Sequence, residues 1–341
     1  MHSIIPILSI IVISHEQHKQ LRRCIDSILA MPISYPYEII VSDDRSTDGS
    51  YELSQQYASQ QQTDKNLLGI IALQCNSDEC NPAYNSERSG YNRCNAYSYA
   101  QGKYIAFVDA DDYFEEGSHV YDLQIEALEK HPECALAMSN HYYMHDGKND
   151  AEIVKPNMEL HNGEIVSATD FITKCYFHLN QAFIQRRNLN VNPCEIYGKK
   201  WVDSVITYHH LQFGPIVYVD TCGYVYVQYE SSVTGVMETQ NRDEVIKEGK
   251  RIFGDIFEPI TTFMGRYEYI PFINAIDVFV MYHNRQQACG NIMTAVTLGK
   301  PVLMKNCSPI CQMIHDQGCS SVYDVADVSF ANIEDIIQSC S

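Results

Sequence analysis

Basic residues are scarce in this chain. It has 24 lysines and arginines against 43 aspartates and glutamates, a formal net charge of −19 over 341 residues. Such a field repels phosphate backbones and anionic bilayers, which argues against nucleic acid as a main partner and against a broad electrostatic hold on lipid. Phosphates held through a metal remain compatible with it. Paired cysteines are also missing. Thirteen cysteines are scattered with no C-x-x-C spacing, and an odd number in a chain of this size implies reduced thiols in a cytosolic protein. The closest group, Cys75, Cys80 and Cys94, fits no standard zinc spacing. No run reaches the roughly 18 apolar residues of a membrane helix. The apolar opening from Ile4 to Ile13 lacks a basic leader and a small-residue cleavage site, so it reads as a buried strand. Tryptophan occurs once, against 24 tyrosines, a lean toward the polar-edged surfaces that suit sugars.

What the chain does have is an apolar run that ends in carboxylates. Gly102-Lys103-Tyr104-Ile105-Ala106-Phe107-Val108 reads as a short strand buried on both faces, and Asp109, Asp111 and Asp112 follow within four residues. In an open α/β sheet, ligands gather beyond the carboxyl ends of the strands. Asp109 and Asp111 are two apart and could converge on one cation as the chain turns. Mg²⁺ and similar hard cations take one or two carboxylates together with substrate phosphates.

The preceding residues place that strand in a parallel sheet. Ser9 to Ile13 is a first strand, the spacing of Leu21, Cys24, Ile25, Ile28 and Leu29 predicts a helix, and Glu38 to Val41 is a second strand. A helix from about Ser50 to Gln60 and a strand from Leu68 to Leu73 follow, a βαβαβ order that implies right-handed crossovers. The first two strands also end in acids, Glu16 on one side and Asp43 and Asp44 on the other, which could accept hydrogen bonds from a nucleoside. Residues 86–101 read as a polar loop leading into a short helix, with Arg88 and Arg93 able to pair either with carboxylates or with a diphosphate. Further on come a helix from Val120 to Lys130, a strand from Ala135 to Ser139, an irregular segment over 145–165 and a helix near Ala168 to Phe177. Trp201-Val202-Asp203 opens another helix, and Gly214 to Val227 is β-rich.

In this order the motifs resemble glycosyltransferase family 2 enzymes of GT-A fold. Glu38-Ile39-Ile40-Val41-Ser42-Asp43-Asp44-Arg45-Ser46-Thr47-Asp48 is close to the family's I-V-D-D-G-S-T-D, and residues 100–112 match A-x-G-x-Y-I-x-F-x-D-x-D-D. Trp201-Val202-Asp203 stands where the family has an E-D pair. The likeness covers about residues 7–235. It implies an inverting transfer from a UDP-sugar to an acceptor hydroxyl, saccharide or lipid-linked saccharide, in bacterial surface polysaccharide or lipid-linked oligosaccharide synthesis. By that resemblance Asp203 is the general base, Asp109 and Asp111 hold Mn²⁺ or Mg²⁺, and Glu16, Asp43, Asp44, Arg88, Arg93 and Asp109 face the donor nucleotide. It further implies a cytoplasmic protein, peripheral at the inner face of the membrane at most. Three positions depart from the pattern: Arg45 stands where glycine is usual, Cys94 where asparagine is usual, and Val202 where an acid is usual.

Two other readings are kept in view. One is a non-catalytic sugar-nucleotide-binding or scaffold protein. The other is a nucleotidyltransferase, which would want a glycine-rich basic loop where Ser14-His15-Glu16-Gln17 stands.

The expected organisation is α/β throughout: a GT-A domain with a Rossmann-like mixed sheet over 1–235, a helical linker over 236–265, and a small partial Rossmann-like β-α-β unit over 266–341. Within the last, the strand pattern from Ala275 to Met281, Arg285-Gln286-Gln287 before Gly290-Asn291, a helix from Ile292 to Leu298, and Gly299-Lys300-Pro301 before Val302-Leu303-Met304 resemble part of the GT-B donor domain of bacterial Fuc4NAc transferases. That likeness covers about 70 residues, too few for a complete GT-B unit. The expectation is a unit that packs on its neighbour or makes a homo-oligomer.

Overall fold

The protein is described by a computed structural model. It describes residues 4–229 except 62, 83–84, 149–150, 157, 172–182 and 189; beyond these it describes 246–247, 250–251, 254–256, 258, 266–281, 289–305, 311, 314, 320–328 and 332–340. The chain forms two compact units, Met1–Ala168 with His178–Arg242, and Thr169–Phe177 with Asp243–Ser341.

The first unit is built on one ten-stranded mixed sheet. Its strands are β1 (Leu8–Ser14), β2 (Tyr37–Asp43), β3 (Leu67–Gln74), β4 (Tyr104–Asp109), β5 (Tyr113–Phe114), β6 (Leu136–His145), β7 (Glu152–Val154), β8 (Ile165–Val166), β9 (Phe183–Arg186) and β10 (Ile216–Gln228). They lie in the order β3-β2-β1-β4-β9-β6-β10-β5, with β7 beside β6 and β8 beside β10. The first four pair in parallel. β9 runs antiparallel to both β4 and β6. All seven residues of β1 and of β2 are buried, which is why their sequences run apolar without alternation.

Register decides what meets at the sheet's carboxyl edge. Asp43 lies opposite Ser14 and Asp109 opposite Ile13, so two acidic strand ends flank the end of β1.

The helices are α1 (His18–Leu29), α2 (Ser50–Ser59), α3 (Asn85–Tyr97), α4 (Val120–Lys130), the single turn α5 (Ala168–Asp170), α6 (Pro193–Tyr197) and α7 (Asp203–Leu211). Helices α1, α2 and α4 pack on one face of the sheet and α3, α6 and α7 on the other. Even-numbered residues of β1 and β4 pack with Leu21, Cys24, Ile25 and Ile28 of α1, Leu53 of α2, and Ile125 and Leu128 of α4. Odd-numbered residues Ile11, Ile13, Ile105 and Phe107 pack with Cys94, Ala96 and Tyr97 of α3, and with Trp201 and Ile206.

Two expectations change here. The polar stretch before the acidic strand is helical from Asn85 onward. Its inward face carries Asn92 and Arg93, both 3% exposed, so burial there leaves no hydrophobic period to read. Residues 145–165 contain the short strands β7 and β8 rather than wholly irregular chain. The helix expected to continue to Phe177, and most of 236–265, fall outside the described residues.

In the second unit a parallel three-stranded sheet joins β11 (Phe279–Met281), β12 (Val302–Met304) and β13 (Val322–Asp324) in that order. Helices α8 (Arg266–Asn274), α9 (Cys289–Thr297) and α10 (Ile333–Cys340) accompany it. β11 is shorter than the strand read from Ala275.

Candidate active site

Three parallel strand ends and two helix starts build the site. Past β1 the chain turns sharply, with Glu16 at φ +53°. Glu16 accepts hydrogen bonds at Oε1 from Thr47 N at 2.7 Å and Thr47 Oγ1 at 3.0 Å, and Ser46 Oγ accepts from Glu16 N at 2.8 Å. Past β2, Asp43 accepts from Ser46 N at 2.8 Å and from Ser46 Oγ at 2.6 Å. Burial raises the Asp43 pKa, and the Ser46 hydrogen bonds work against that. Asp44, 5% exposed, accepts from Ser77 N at 2.9 Å and Ser77 Oγ at 2.5 Å. Thus Glu16, Asp43 and Asp44 come together with the loops after β1, β2 and β3, each already holding backbone.

Arg45 sits at φ +53°, the left-handed region the usual glycine would adopt at no steric cost. A non-glycine residue holds this conformation at a cost of about 1 kcal/mol.

The acidic turn is held from several sides. Asp112 is 1% exposed and accepts from Val227 N at 2.9 Å and from the Tyr224 hydroxyl. Burial, then the charges of Asp111 and Asp109, push its pKa up. Its task is to tie the turn to β10. Arg23 of α1 donates to the Asp111 carbonyl at 2.6 Å and to Tyr229 Oη at 2.7 Å, and lies over the Tyr113 ring at 4.3 Å. The Asp111 carboxyl is pushed up to about 6, chiefly by burial and then by the charge of Asp109.

That electrostatic state is the test of a cation. Two hard oxygen donors two residues apart, one of them desolvated and repelled by the other, suit a dication that would favour the ionised Asp111 carboxylate. Among the described residues no group of three or more His, Cys, Asp or Glu side chains is placed to hold a metal. A cation at Asp109 and Asp111 would draw its remaining ligands from water and from nucleotide phosphates.

Arg93 reaches the turn from α3. Its Nη2 lies 2.9 Å from Asp109 Oδ1 and 2.9 Å from Asp203 Oδ1, joining the end of β4 to the first turn of α7. Burial works against the Arg93 charge, but Asp203 and Asp109 more than offset it and raise its pKa. Arg88 is elsewhere. It pairs with Asp78 at 2.6 Å and donates to Ser77 Oγ at 2.9 Å, so it supports the loop that holds Asp44.

Asp203 owes its position to Trp201. The indole, fully buried, stacks on Tyr197 at 5.4 Å and meets Tyr97 and His209 edge-on. Cys94, at the position of the usual asparagine, is buried and donates to Gly198 O at 3.3 Å, so it anchors the same segment.

Residues without a motif complete the site. Ser77 locks Asp44, Arg23 holds the Asp111 carbonyl, and Asn92 donates to Ser42 O at 3.0 Å beneath the strand ends. Of these only Asn92, beside Arg93 in the polar run, had a local signal. A cavity of about 350 Å³ opens beside this corner, between Arg45, Asn76, Tyr91 and Asn95, and none of the eight candidate residues lines it.

A parallel sheet with acids at its carboxyl edge, continued past β4 by antiparallel β9 and then the parallel pair β6 and β10, is the mixed-sheet GT-A arrangement of nucleotide-sugar transferases. Residues 9–187 match the family model described as Glycosyl transferase family 2. The chain belongs to that family.

Curated relatives match over shorter stretches. An uncharacterized protein of Mycobacterium tuberculosis is 27% identical over 146 residues, 42% of this chain and 38% of that protein. A poly(ribitol-phosphate) beta-glucosyltransferase of Bacillus spizizenii is 32% identical over 108 residues, 31% of this chain and 15% of that protein. Among solved structures, S. aureus TarS 1–349 in complex with UDP superposes with a TM-score of 0.49 at 16% identity, covering 79% of each chain. The mannosyltransferase PcManGT of Pyrobaculum calidifontis, in complex with GDP-Man and Mn²⁺, gives 0.42 at 15% identity, covering 75% of this chain and 67% of that one. Both structural likenesses are too weak to carry an argument.

Proposed function

We propose that this protein is an inverting, metal-dependent glycosyltransferase that moves a sugar from a UDP-sugar to an acceptor hydroxyl. One observation carries the reading: Asp109 and Asp203 share a single nitrogen of Arg93, which sets a base candidate beside the donor corner. Asp203 takes the acceptor hydroxyl proton, the acceptor oxygen attacks the anomeric carbon, and the bond to the diphosphate oxygen breaks on the opposite face, inverting the centre. A divalent cation bound at Asp109 and Asp111 would supply positive charge for the departing UDP. Asp43, Asp44 and Glu16 shape the nucleoside side.

The match to a poly(ribitol-phosphate) beta-glucosyltransferase supports an acceptor in bacterial surface polymer or lipid-linked oligosaccharide synthesis. A cytoplasmic protein, peripheral at the membrane's inner face, accords with such an acceptor. Among the described residues, no helix is long and apolar enough to cross a membrane. The unit after residue 265 is read as a packing or oligomerisation module.

The test is UDP release across a panel of UDP-sugars with Mn²⁺, alongside Asp203→Asn. Loss of a positioned base lowers turnover by about 10²–10⁴-fold. Unchanged turnover in the variant would remove Asp203 as base. No turnover with any donor would favour a sugar-nucleotide-binding scaffold instead. Calorimetric titration of UDP with and without Mn²⁺ checks the metal, whose role fails if the two affinities are equal.

A further inference from the structure

The placement of Arg93 says more than that it is near the donor. The residue is 3% exposed. Nη1 donates to Ser89 Oγ at 2.8 Å, Nη2 faces both carboxylates, and Nε is buried without a hydrogen-bond acceptor. An arginine that grips a diphosphate presents its planar fork to the ligand, two parallel N–H groups at a time. This fork is turned into the protein, and its charge is matched by two side-chain carboxylates. Among the described residues, Arg93 is also the one cation paired with the Asp203 carboxylate.

We infer that Arg93 is a positioning residue that fixes the separation between Asp203 and the donor corner at Asp109, and that it does not hold the donor phosphates directly. Both carboxylate oxygens lie 2.9 Å from one nitrogen, Asp109 as a hydrogen bond and Asp203 as an ion pair without hydrogen-bond geometry, so they stand within twice that distance of each other. With no shared cation the two carboxylates would repel. Because Asp203 sits in the first turn of α7 and Arg93 in the middle of α3, the bridge converts the packing of two helices into a fixed base-to-donor distance. A misplacement of about 1 Å in such a geometry costs on the order of 10²-fold in rate.

The inference rests on Asp203 being the base. Its test separates binding from turnover. Arg93→Lys keeps a cation but loses the fork. The expected result is a kcat about 10–100-fold lower, with donor KM and the calorimetric affinity for UDP in Mn²⁺ each within about threefold of wild type. Arg93→Lys combined with Asp203→Asn should be no slower than Asp203→Asn alone, because both act through one group. Ser89→Ala leaves every buried charge in place and loosens only the guanidinium, so it should lower kcat several-fold with UDP affinity unchanged.

Two results overturn the inference: UDP affinity that falls tenfold or more in Arg93→Lys, or rate losses of Arg93→Lys and Asp203→Asn that multiply in the double variant. If Arg93→Lys does not fold, the Ser89→Ala rates decide, and a wild-type kcat there refutes the bridge. Failure of the base reading shows separately, as wild-type turnover in Asp203→Asn alone.

Discussion

Gly90 offers a sharp test of how Asp203 is placed. It lies in α3, one turn before Arg93. A Cβ there would come 2.2 Å from Lys199 O, 2.9 Å from Lys199 C and 3.1 Å from Trp201 N. Carbon and oxygen normally approach to about 3.3 Å, so Gly90→Ala must open the gap between α3 and residues 198–202 by roughly an ångström. All three atoms are backbone, and the segment cannot simply swing aside. The Lys199 ammonium donates to Asn81 O at 2.9 Å and pairs with Glu87 at 3.0 Å, while the Trp201 ring is fully enclosed. Alanine is better than glycine in a helix by up to about 1 kcal/mol, whereas overpacking costs about 1–3 kcal/mol. The net expectation is a loss of about 1–2 kcal/mol, a fall in Tm of about 3–6 °C for a domain of this size. Asp203 follows Trp201 by two residues, so the same shift should lower turnover by tenfold or more. Thermal melting by circular dichroism and UDP release measure the two effects. A Gly90→Ala protein with wild-type melting and wild-type turnover would refute the close approach and the argument built on it.

Two further outcomes follow from buried polar groups. His210 is fully buried and donates from Nδ1 to Ile206 O at 2.8 Å, and burial lowers its pKa from 6.5 to about 4. The unfolded chain therefore binds a proton between pH 6.5 and 4 that the folded chain refuses, so this stabilisation is present above 6.5 and lost as pH falls toward 4. Urea unfolding at pH 7.5 and 5.0 should show about 2 kcal/mol less pH-dependent loss in His210→Gln than in wild type. An identical pH response in the two proteins would count against it, since the raised carboxylates are common to both. Ser9 joins β1 to β2 and to the approach to β4: its hydroxyl donates to Glu38 Oε1 at 2.6 Å and accepts from Gly102 N at 2.8 Å, while Gln101 N also donates to Glu38 at 2.7 Å. Ser9→Ala should cost about 1–3 kcal/mol in chemical unfolding and leave UDP release intact. A coincident loss of activity would mean the network reaches the site.

The sequence by itself determined the parallel half of the sheet and its acidic rim. Strands buried on both faces write long apolar runs, and carboxylates that end those runs are visible without coordinates. Leu8–Ser14, Tyr37–Asp43 and Tyr104–Asp109 were therefore legible, together with Asp109 and Asp111 as candidates; Asp203 became one only through the family resemblance. The family motifs supplied their order. What only the tertiary structure decided lies between elements distant in sequence. The stretch before β4 read as a polar loop leading into a short helix, because the buried face of α3 is made of Asn92 and Arg93, which meet carbonyls and carboxylates that come from β1, β2, β4 and α7. β5 and β9 are too short to carry a period, and exist because neighbouring strands offer them partners. Arg88 and Arg93 were equivalent on paper, yet one props a surface loop and the other joins Asp109 to Asp203. A side chain's type is written locally, but its partner depends on which strands and helices pack together, and that pairing is long-range.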